Sequence, residues 1–400
     1  MDSQINKPIP SDTISNTNSI NPFNQIPIET IIEILSRLPI KSLIQFTFTC
    51  KTLNPLSTDP HLITLHLSRS DESYIIIHSN RPFKNQLYFL NFSDQKVCKF
   101  EIPFALFNSD FNIIASSNGL LCLIDPFFPT HVSLYNPFTG GYAELPPKID
   151  FHETIIIHGY GFDPISHDYK VVQIVYDKDL YSPYAIRENQ GSIESFSSNV
   201  DVYSLRSNVW MNKGVAPYLL EKWSSPGVLV NHKLHWVSIW GRNPTGRVIV
   251  SYNLVDDTFT EIAFPSFESF SRRIKSQLLA LNGCLCASMP RSSGCWTFDI
   301  WVMREYGVNE SWVKEYSIGI YYPNLTISNN SERLPNMSAK KIVKVLCALK
   351  SGELVMQYRR DGLVLYDPRS KRFKELEYKG MPKINQAIVH VGSLVSPHLG

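Results

Sequence analysis

The chain has 400 residues, 43% of them hydrophobic and 12% aromatic, which is enough to bury a sizeable core in one large domain or two smaller ones. Charged residues make up only 18%, against about 25% in an average soluble protein, and this argues against disorder over most of the length. The net charge of +2 comes without a long run of either sign, and the most basic stretch, Arg272–Lys275, is typical of a solvated loop, so no nucleic-acid partner is expected.

The seven cysteines have no regular spacing. Cys284 and Cys286 are separated by one residue, and no second close pair of cysteines or histidines accompanies them, so the pattern does not match a zinc site. We expect buried, reduced thiols, no metal, and a place in the cytoplasm or nucleus. Residues 1–22 are polar, without the apolar core of a signal peptide, and are predicted to be a disordered tail. No apolar run approaches the length that spans a membrane, so no membrane partner is expected.

Residues 23–68 form the part of the chain whose pattern predicts helices. After Pro27, apolar residues recur at steps of three and four, as on one face of an amphipathic helix, and Pro39 ends the pattern. A second short helix is predicted over 41–47 and a third from Cys50, and Asp59 and Pro60 open a last helical turn. So small a module cannot cover all its apolar side chains, and we expect another surface to cover them.

From residue 69 to residue 400 the pattern changes to short strands. β-Branched runs such as 74–77 and 171–175 are bounded by turn residues. Asn118-Gly119, Asn282-Gly283 and Ser351-Gly352 predict hairpin turns of two residues, because such turns need positive φ at their tips. This large second region is therefore predicted to be all-β.

A unit of strands repeats within the β region. Its third strand ends in an aromatic residue and a turn, as at Tyr135-Asn136-Pro137, Tyr252-Asn253 and Tyr366-Asp367-Pro368. The copies give about six units of roughly 45 to 65 residues, the period of four-stranded propeller blades. A β-propeller of about six blades is therefore predicted. The alternative is a β-sandwich in which the turn spacing is coincidental.

A propeller must pair its first and last strands, or it exposes unpaired edges. The chain ends in a strand-like run, Ala387–Val391, followed by Ser393-Leu394-Val395. This run is predicted to pair with the first blade, near Tyr74–Ile77 or Leu87–Leu90.

The helical segment resembles the F-box, particularly its plant form. The matching pieces are Ile26-Pro27, Glu29, Ile31-Ile32, Ile34-Leu35, Leu38-Pro39, Lys41-Ser42-Leu43, Phe46 and Cys50-Lys51. The rest resembles the F-box-associated domain that follows the F-box in a large plant family. Its matching pieces are Ser117–Cys122, Tyr135–Thr139, Gly159–Pro164, Asp168–Val172 and Ser393–Ser396.

The resemblance implies a substrate-recognition subunit of an SCF-type cullin–RING ubiquitin ligase. The helices would dock on a Skp-type adaptor, and the β domain would bind the protein to be ubiquitinated. The adaptor-binding residues that it implies are Pro27, Ile31, Ile34, Leu35, Leu38, Pro39, Lys41, Leu43, Phe46, Cys50 and Lys51. The residues by themselves leave a second possibility, in which the same apolar side chains pack on the propeller.

The sequence offers no catalytic constellation and no cofactor motif. His232 and His235 lie in a strand-like run and are predicted to point to opposite faces rather than to bind a metal. There is no Gly-x-Ser-x-Gly turn, and Gly159-Tyr160-Gly161 lacks the third glycine of a phosphate loop. We therefore expect a non-catalytic protein.

The alternative function is a carbohydrate- or glycoprotein-binding propeller, suggested by Trp223, Trp236 and Trp240, with Trp236 expected in the core. For a protein substrate, the long polar inserts 181–198 and 321–338 are predicted to help in selection, because binding residues concentrate in irregular loops.

Overall fold

The computed structural model describes residues 26–49, 54–70, 73–92, 95–103, 110–148, 154–181, 198–221, 226–240, 247–265, 276–290, 297–319, 343–358 and 362–398. Three α-helices come first: α1 (Ile28–Leu35), α2 (Ile40–Thr49) and α3 (Pro60–Arg69). After α3, the described residues contain β-strands and no further α-helix. This confirms a short helical segment followed by an all-β region.

The predicted helices form with shifted ends. α1 stops at Leu35, before the predicted Leu38. The chain reaches Leu38 in tighter turns, in which the N–H groups of Arg37 and Leu38 bond to carbonyls three residues back. Leu38 precedes Pro39, which disfavours the helical conformation there. α3 runs for 10 residues instead of one turn. The Asp59 carboxylate caps it by accepting from the Leu62 N–H at 2.8 Å, and Pro60 occupies its first position. The third helix predicted from Cys50 is a short 3₁₀ helix over Asn54–Thr58, and 50–53 lie outside the described residues.

The strands form six antiparallel sheets, named here blades I to VI in chain order. Blade I contains β1 (Ser73–Ser79), β2 (Gln86–Asn91) and β3 (Lys96–Lys99). Blade II contains β4 (Asn112–Ser117), β5 (Leu120–Ile124), β6 (Val132–Tyr135) and β7 (Tyr142–Glu144). Blade III contains β8 (Thr154–Asp163), β9 (Asp168–Asp177), β10 (Ser198–Ser204) and β11 (Val209–Asn212).

Blade IV contains β12 (Leu219–Leu220), β13 (Val228–Val230), β14 (Lys233–Trp240), β15 (Val248–Asn253) and β16 (Phe259–Ile262), and both β12 and β13 pair with β14. Blade V contains β17 (Gln277–Leu281), β18 (Cys284–Pro290), β19 (Phe298–Met303) and β20 (Trp312–Ile318). Blade VI contains β21 (Val343–Ala348), β22 (Leu354–Tyr358), β23 (Gly362–Asp367) and β24 (Arg372–Leu376). The last strand, β25 (Gln386–Val391), pairs with β1 and is the first strand of blade I. β1, β2 and β3 are therefore the second, third and fourth strands of that blade.

The blades form a six-bladed propeller, and the β-sandwich alternative is wrong. The first strands of neighbouring blades contact each other around a ring, from β25 to β4, β8, β13, β17, β21 and back to β25. Four strands per blade around a central axis is the propeller arrangement.

The repeat seen in the sequence has a physical cause. The aromatic residue that ends a third strand lies beside an aromatic residue seven positions later, at the start of the fourth strand. Tyr252 contacts Phe259 with ring centroids 4.8 Å apart, and Tyr366 contacts Phe373 at the same distance. Tyr135 is directly opposite Tyr142 in the register of β6 and β7. Such cross-strand aromatic pairs stabilise the hairpin and recur from blade to blade.

The ring is closed by β25, which pairs with β1 over a register from Ser73↔Val391 to His78↔Gln386. This confirms the predicted pairing of the last strand with 74–77. The opposite edge of β25 is satisfied by side chains of blade VI. Gln357 accepts a hydrogen bond from the Ala387 N–H at 3.1 Å, and the Lys344 ammonium donates to the Ala387 carbonyl at 3.2 Å. The closing strand is therefore held on both edges.

The chain beyond β25 is hydrogen-bonded to blade II. The Asn136 amide donates to the carbonyls of Ser393 and Val395, at 2.9 and 2.8 Å. The Ser393 hydroxyl donates to the Asn118 carbonyl at 2.8 Å, and a Cβ on Gly119 would clash with that hydroxyl. Three sequence pieces of the F-box-associated resemblance thus meet in space.

The antiparallel blades divide their connections between two faces. Connections from first to second and from third to fourth strands lie on one face, here called the short-turn face. Asn118-Gly119 and Asn282-Gly283 are two-residue turns there, with positive φ at all four residues, as predicted. Ser351-Gly352 also lies in a hairpin, with positive φ at Gly352, but its turn is longer than two residues, because β21 and β22 are joined by 349–353.

The other connections lie on the opposite face, here called the long-connection face. They join second to third strands within a blade and the fourth strand to the next blade, and they include 125–131. The predicted substrate inserts 181–198 and 321–338 lie outside the described residues except for Tyr181 and Ser198.

The helical module, residues 26–70, precedes β1 in the chain and packs on the short-turn face. It shares one hydrophobic cluster with blades I and II, to which Leu35, Leu43 and Leu62 contribute beside Phe89 and Leu121 of the blades. The tip of the module meets the end of the closing strand, where a Cβ on Gly392 would lie 2.5 Å from the Ile40 side chain. The propeller therefore covers one face of the module.

We predict that Gln357→Leu weakens ring closure. The substitution removes the acceptor for the buried Ala387 N–H, and an unsatisfied buried donor costs about 1–3 kcal/mol. Urea unfolding followed by circular dichroism should give a lower midpoint. Gln45→Leu makes the same change at an exposed position of α2 and should leave the midpoint in place. Equal midpoints for the two variants would show that these side-chain bonds do not hold β25.

Candidate functional site: two faces of the propeller

One candidate surface is the outer face of α1. Five apolar residues of this segment are exposed, although a small module would be expected to hide them, and Ile34 is the most exposed of its isoleucines at 54%. They are Ile26, Pro27, Ile28, Ile34 and Pro39. Ile34 lies beside the buried side of α1, which contains Ile31, Ile32 and Leu35. Ile28 lies on that same side, seven residues before Leu35, but at the N-terminal end of the helix, where it stays exposed. The propeller thus leaves part of the apolar surface at α1 uncovered.

The structure separates the residues that the sequence grouped as adaptor contacts. Pro27, Ile34 and Pro39 are exposed, and Leu38 and Phe46 are half-buried. Ile31, Leu35 and Leu43 are buried inside this chain. Cys50 and Lys51 lie outside the described residues.

Lys41 faces the propeller rather than the outer edge of the module. Its ammonium lies 3.9 Å from the ring centroid of Phe89 in β2, a cation–π contact. The module is therefore held on the propeller by four of the residues that the sequence grouped as adaptor contacts: Lys41, Ile31, Leu35 and Leu43. In this arrangement they contact this chain rather than a partner.

Ion pairs fix the orientation of α1 on α3. The Glu33 carboxylate accepts hydrogen bonds from Arg37 at 2.5 Å and from Arg69 at 2.9 Å. These bonds hold the pKa of Glu33 below its usual value. Arg69 also donates to the Ser36 hydroxyl at 2.6 Å, so the end of α1 and the end of α3 are tied together. The exposed face of α1 is consequently presented in one orientation.

A second candidate surface, here called the phenylalanine patch, lies on the long-connection face. It consists of Phe83 in the β1–β2 connection and Phe127 and Phe128 in the β5–β6 connection, with 67%, 74% and 52% of their surfaces exposed. Sequence reasoning missed this patch. The signal that could have shown it is Pro126-Phe-Phe-Pro129, an aromatic pair between prolines where a turn is required.

The connection that carries Phe127 and Phe128 is held rigidly. The Asp125 carboxylate accepts hydrogen bonds from the N–H groups of both residues, at 2.7 and 3.1 Å. Behind the loop, the His158 ring N–H of blade III donates to the Pro129 carbonyl at 2.8 Å. Burial lowers the pKa of His158 to about 4, so this histidine is neutral near neutral pH.

The remaining candidate residues have structural roles. His235 is buried, and its neutral ring donates to the Val228 carbonyl at 2.9 Å and accepts from the Tyr306 hydroxyl at 2.7 Å. A Cβ on Gly159 would clash with Trp236, so this glycine permits close packing of blades III and IV. Trp236 is fully buried, as predicted. Trp223 lies outside the described residues, as does the Trp240 side chain.

Within the described part of the chain, no group of three or more histidines, cysteines or acids is arranged to hold a metal ion. The same residues contain no helix long and apolar enough to cross a membrane.

Comparison with known families agrees with both modules. The model described as the F-box domain matches residues 23–65, and the model described as the F-box associated beta propeller domain matches residues 63–396. The chain belongs to the F-box-associated β-propeller family.

Similar proteins of this kind occur in Arabidopsis thaliana. F-box protein At3g07870 is 36% identical over 93% of this chain and 92% of its own length. F-box protein CPR1 is 29% identical over 92% of this chain and 88% of its own. F-box/kelch-repeat protein At3g23880 is 24% identical over 94% and 97%. All three similarities extend through both modules.

We predict that this F-box protein loses stability in acid through its buried histidines. Burial lowers the pKa of His158 and His235 to about 4 and that of His390 to about 3, below the usual 6.5. The unfolded chain therefore takes up protons first, so stability is complete above pH 6.5 and falls as the pH drops toward 4. Each unit of pKa difference corresponds to about 1.4 kcal/mol per group at most.

Thermal unfolding at pH 7.5, 6.0 and 5.0 would measure this effect. His158→Gln should reduce the fall in melting temperature between pH 7.5 and 5.0, because one proton-binding group is lost. Gln45→Leu alters an exposed residue of α2, removes no titratable group and should keep the original pH dependence. The same slope in His158→Gln as in the unmodified protein would contradict the assignment.

Proposed function

We propose that the chain is the substrate-recognition subunit of an SCF-type cullin–RING ubiquitin ligase in the cytoplasm or nucleus. The F-box would dock on a Skp-type adaptor, and the propeller would bind the protein to be ubiquitinated. The observation that carries the proposal is the set of exposed apolar residues at α1 and its two ends, Ile26, Pro27, Ile28, Ile34 and Pro39, which stay exposed while Ile31, Ile32 and Leu35 are buried.

The exposed face suits a partner protein. A cluster of exposed isoleucine and proline side chains is stabilised when a partner removes it from water. The ion pairs of Glu33 hold α1 in place, so little conformational freedom would be lost on binding. In this proposal the adaptor contacts are Pro27, Ile34 and Pro39, with the half-buried Leu38 and Phe46 beside them.

The arrangement of the two faces supports a bridging role. The F-box packs on the short-turn face, and the long connections of the blades lie on the opposite face. A substrate on the long-connection face and an adaptor on the F-box would not compete for space. The shared core would fix their relative positions, as a ligase needs when it presents a substrate.

A non-catalytic role is part of the proposal. Ubiquitin transfer through a thioester needs a reactive thiolate. Burial raises the pKa of Cys286 to about 12 and that of Cys347 to about 11, and it raises the pKa of Cys122 further. The five described cysteines are all free thiols, which suits a reducing compartment.

We predict that Ile34→Asp abolishes adaptor binding and leaves the fold intact. Ile34 is half exposed, so the charge is tolerated in the free protein, but in the complex it would be buried without a partner at a cost of several kcal/mol. Co-purification with a Skp-type adaptor and a surface plasmon resonance titration would measure the loss, at least a hundredfold in Kd.

The control is Ile165→Asp, which introduces the same charge at an isoleucine of blade III that is 73% exposed. It should bind the adaptor as the unmodified protein does. A substitution at the buried Leu35 would be uninformative, because it would disrupt the shared core. Full adaptor binding by Ile34→Asp would refute docking through the outer face of α1.

We also predict that the purified chain forms no thioester with ubiquitin when it is mixed with the activating and conjugating enzymes. Burial keeps the thiols of Cys286 and Cys347 protonated near neutral pH, so neither of them offers a nucleophile. Non-reducing gel electrophoresis would detect an adduct, and the conjugating enzyme's own thioester serves as the positive control. A ubiquitin adduct on this chain that a thiol reductant removes would overturn the non-catalytic assignment.

A further inference from the structure

We propose that the phenylalanine patch binds an acidic peptide segment that carries bulky apolar side chains. The inference rests on the proposed function, because it names the chemistry by which the propeller would recognise its substrate.

The apolar part of the argument is the exposure of three large rings. Phe83, Phe127 and Phe128 are each more than half exposed, and all lie in connections from a second to a third strand. Each ring would bury a large apolar area in a complex, since phenylalanine is among the side chains that contribute most on burial. Exposed rings grouped on one face mark an interaction surface.

The two connections belong to adjacent blades and are joined by described contacts. Lys84, next to Phe83, forms an ion pair with Asp110 at 3.5 Å, just before the first strand of blade II. That strand begins at Asn112, which is paired with Ile124 at the end of β5. The β5–β6 connection starts at the next residue, Asp125. The three rings therefore lie on neighbouring parts of one surface.

The patch is already shaped before any partner arrives. Asp125 fixes the backbone at Phe127 and Phe128, and His158 fixes it at Pro129. The β1–β2 connection is fixed in a similar way, because the Asn80 side chain accepts from the Asn85 N–H at 2.9 Å. A rigid apolar surface loses little entropy on binding, which favours recognition of a short segment.

Charge decides the kind of segment. Arg81 and Lys84 flank Phe83 and are exposed. The connection between β24 and β25 adds Lys379 and Lys383, also exposed, and is tied to the same place by the Asn385 N–H, which donates to the His78 carbonyl at 2.9 Å. Among the described residues, no ion pair involves Arg81, Lys379 or Lys383. Acidic side chains beside an apolar anchor would complement these cations.

A protein segment fits this surface better than a membrane does. An anionic bilayer would also approach the acidic groups of the same face, such as the exposed Glu101 and Glu377, and these would oppose it. A short peptide covers a smaller part of this face than a bilayer does.

The test uses the full-length chain and random twelve-residue peptides displayed on phage. Peptides are selected on the unmodified protein after depletion on a variant that carries Phe83→Ser, Phe127→Ser and Phe128→Ser. Because these side chains are exposed, the variant should keep the melting temperature of the unmodified protein. The proposal expects enriched peptides that combine aspartate or glutamate with aromatic or long aliphatic residues. Enrichment of basic or purely polar peptides, or no enrichment over the variant, would overturn it.

The best enriched peptide is then synthesised and titrated by fluorescence polarisation. Phe127→Ser with Phe128→Ser should weaken binding at least tenfold, and Arg81→Ser with Lys383→Ser should weaken it about threefold and reduce its salt dependence. Ile165→Ser with Val209→Ser removes two exposed apolar side chains elsewhere on blade III and should not change the Kd. Equal affinity of the phenylalanine variant and this control would refute the patch.

Two further measurements separate this inference from other readings. The protein should not co-sediment with vesicles of phosphatidylcholine and phosphatidylserine in a 3:1 ratio. Co-sedimentation that is lost in the variant without the three phenylalanines would show that the patch binds a membrane and would overturn the proposal. Adaptor binding is measured on the same protein samples. Normal adaptor binding without peptide binding would overturn this inference alone, whereas loss of adaptor binding by the unmodified chain would overturn the proposed function.

Discussion

The pairing of β25 with β1 is the constraint on which the rest of the structure depends. It joins the end of the chain to its first strand, so β1 is paired on both edges and the six blades form a closed ring. It also places both ends of the β region on the short-turn face. The helical module, which precedes β1, and the tail, which follows β25, are brought together there, and Gly392 packs against Ile40.

That meeting explains why part of the apolar surface of the F-box is buried within this chain. The side that holds Leu35 and Leu43 completes a core with blades I and II, and the cation–π contact of Lys41 belongs to the same interface. Ile34 and the apolar residues at the two ends of α1 stay exposed in the described chain. A module that used all its apolar residues to join the propeller would have nothing left for a partner, and one that used none would have no fixed position. The division of these residues into a buried set and an exposed set satisfies both requirements.

The opposite face is built from connections rather than strands, and its rigidity comes from polar groups. In the β5–β6 connection, the Asp125 carboxylate accepts from a backbone N–H and the His158 ring donates to a backbone carbonyl. Burial keeps His158 neutral, so it can donate without introducing a charge between blades. The closing strand is stabilised in the same manner by Gln357 and Lys344. Buried side chains thus satisfy backbone groups that the sheets leave unpaired.

The sequence by itself determined what depends on near neighbours: the hairpins at Asn118-Gly119 and Asn282-Gly283, the helix start at Asp59, and the aromatic residue that ends the third strand in several blades. Even the closure was predictable, because a propeller must pair its last strand. The tertiary structure decided which apolar residues stay outside. Ile34 and Leu35 are adjacent and chemically alike, yet one is exposed and the other buried, because a surface distant in the sequence covers only one side of the helix. The same holds for Phe83, Phe127 and Phe128: the sequence shows that they are apolar, but only the arrangement of the blades shows that more than half of each side chain stays exposed.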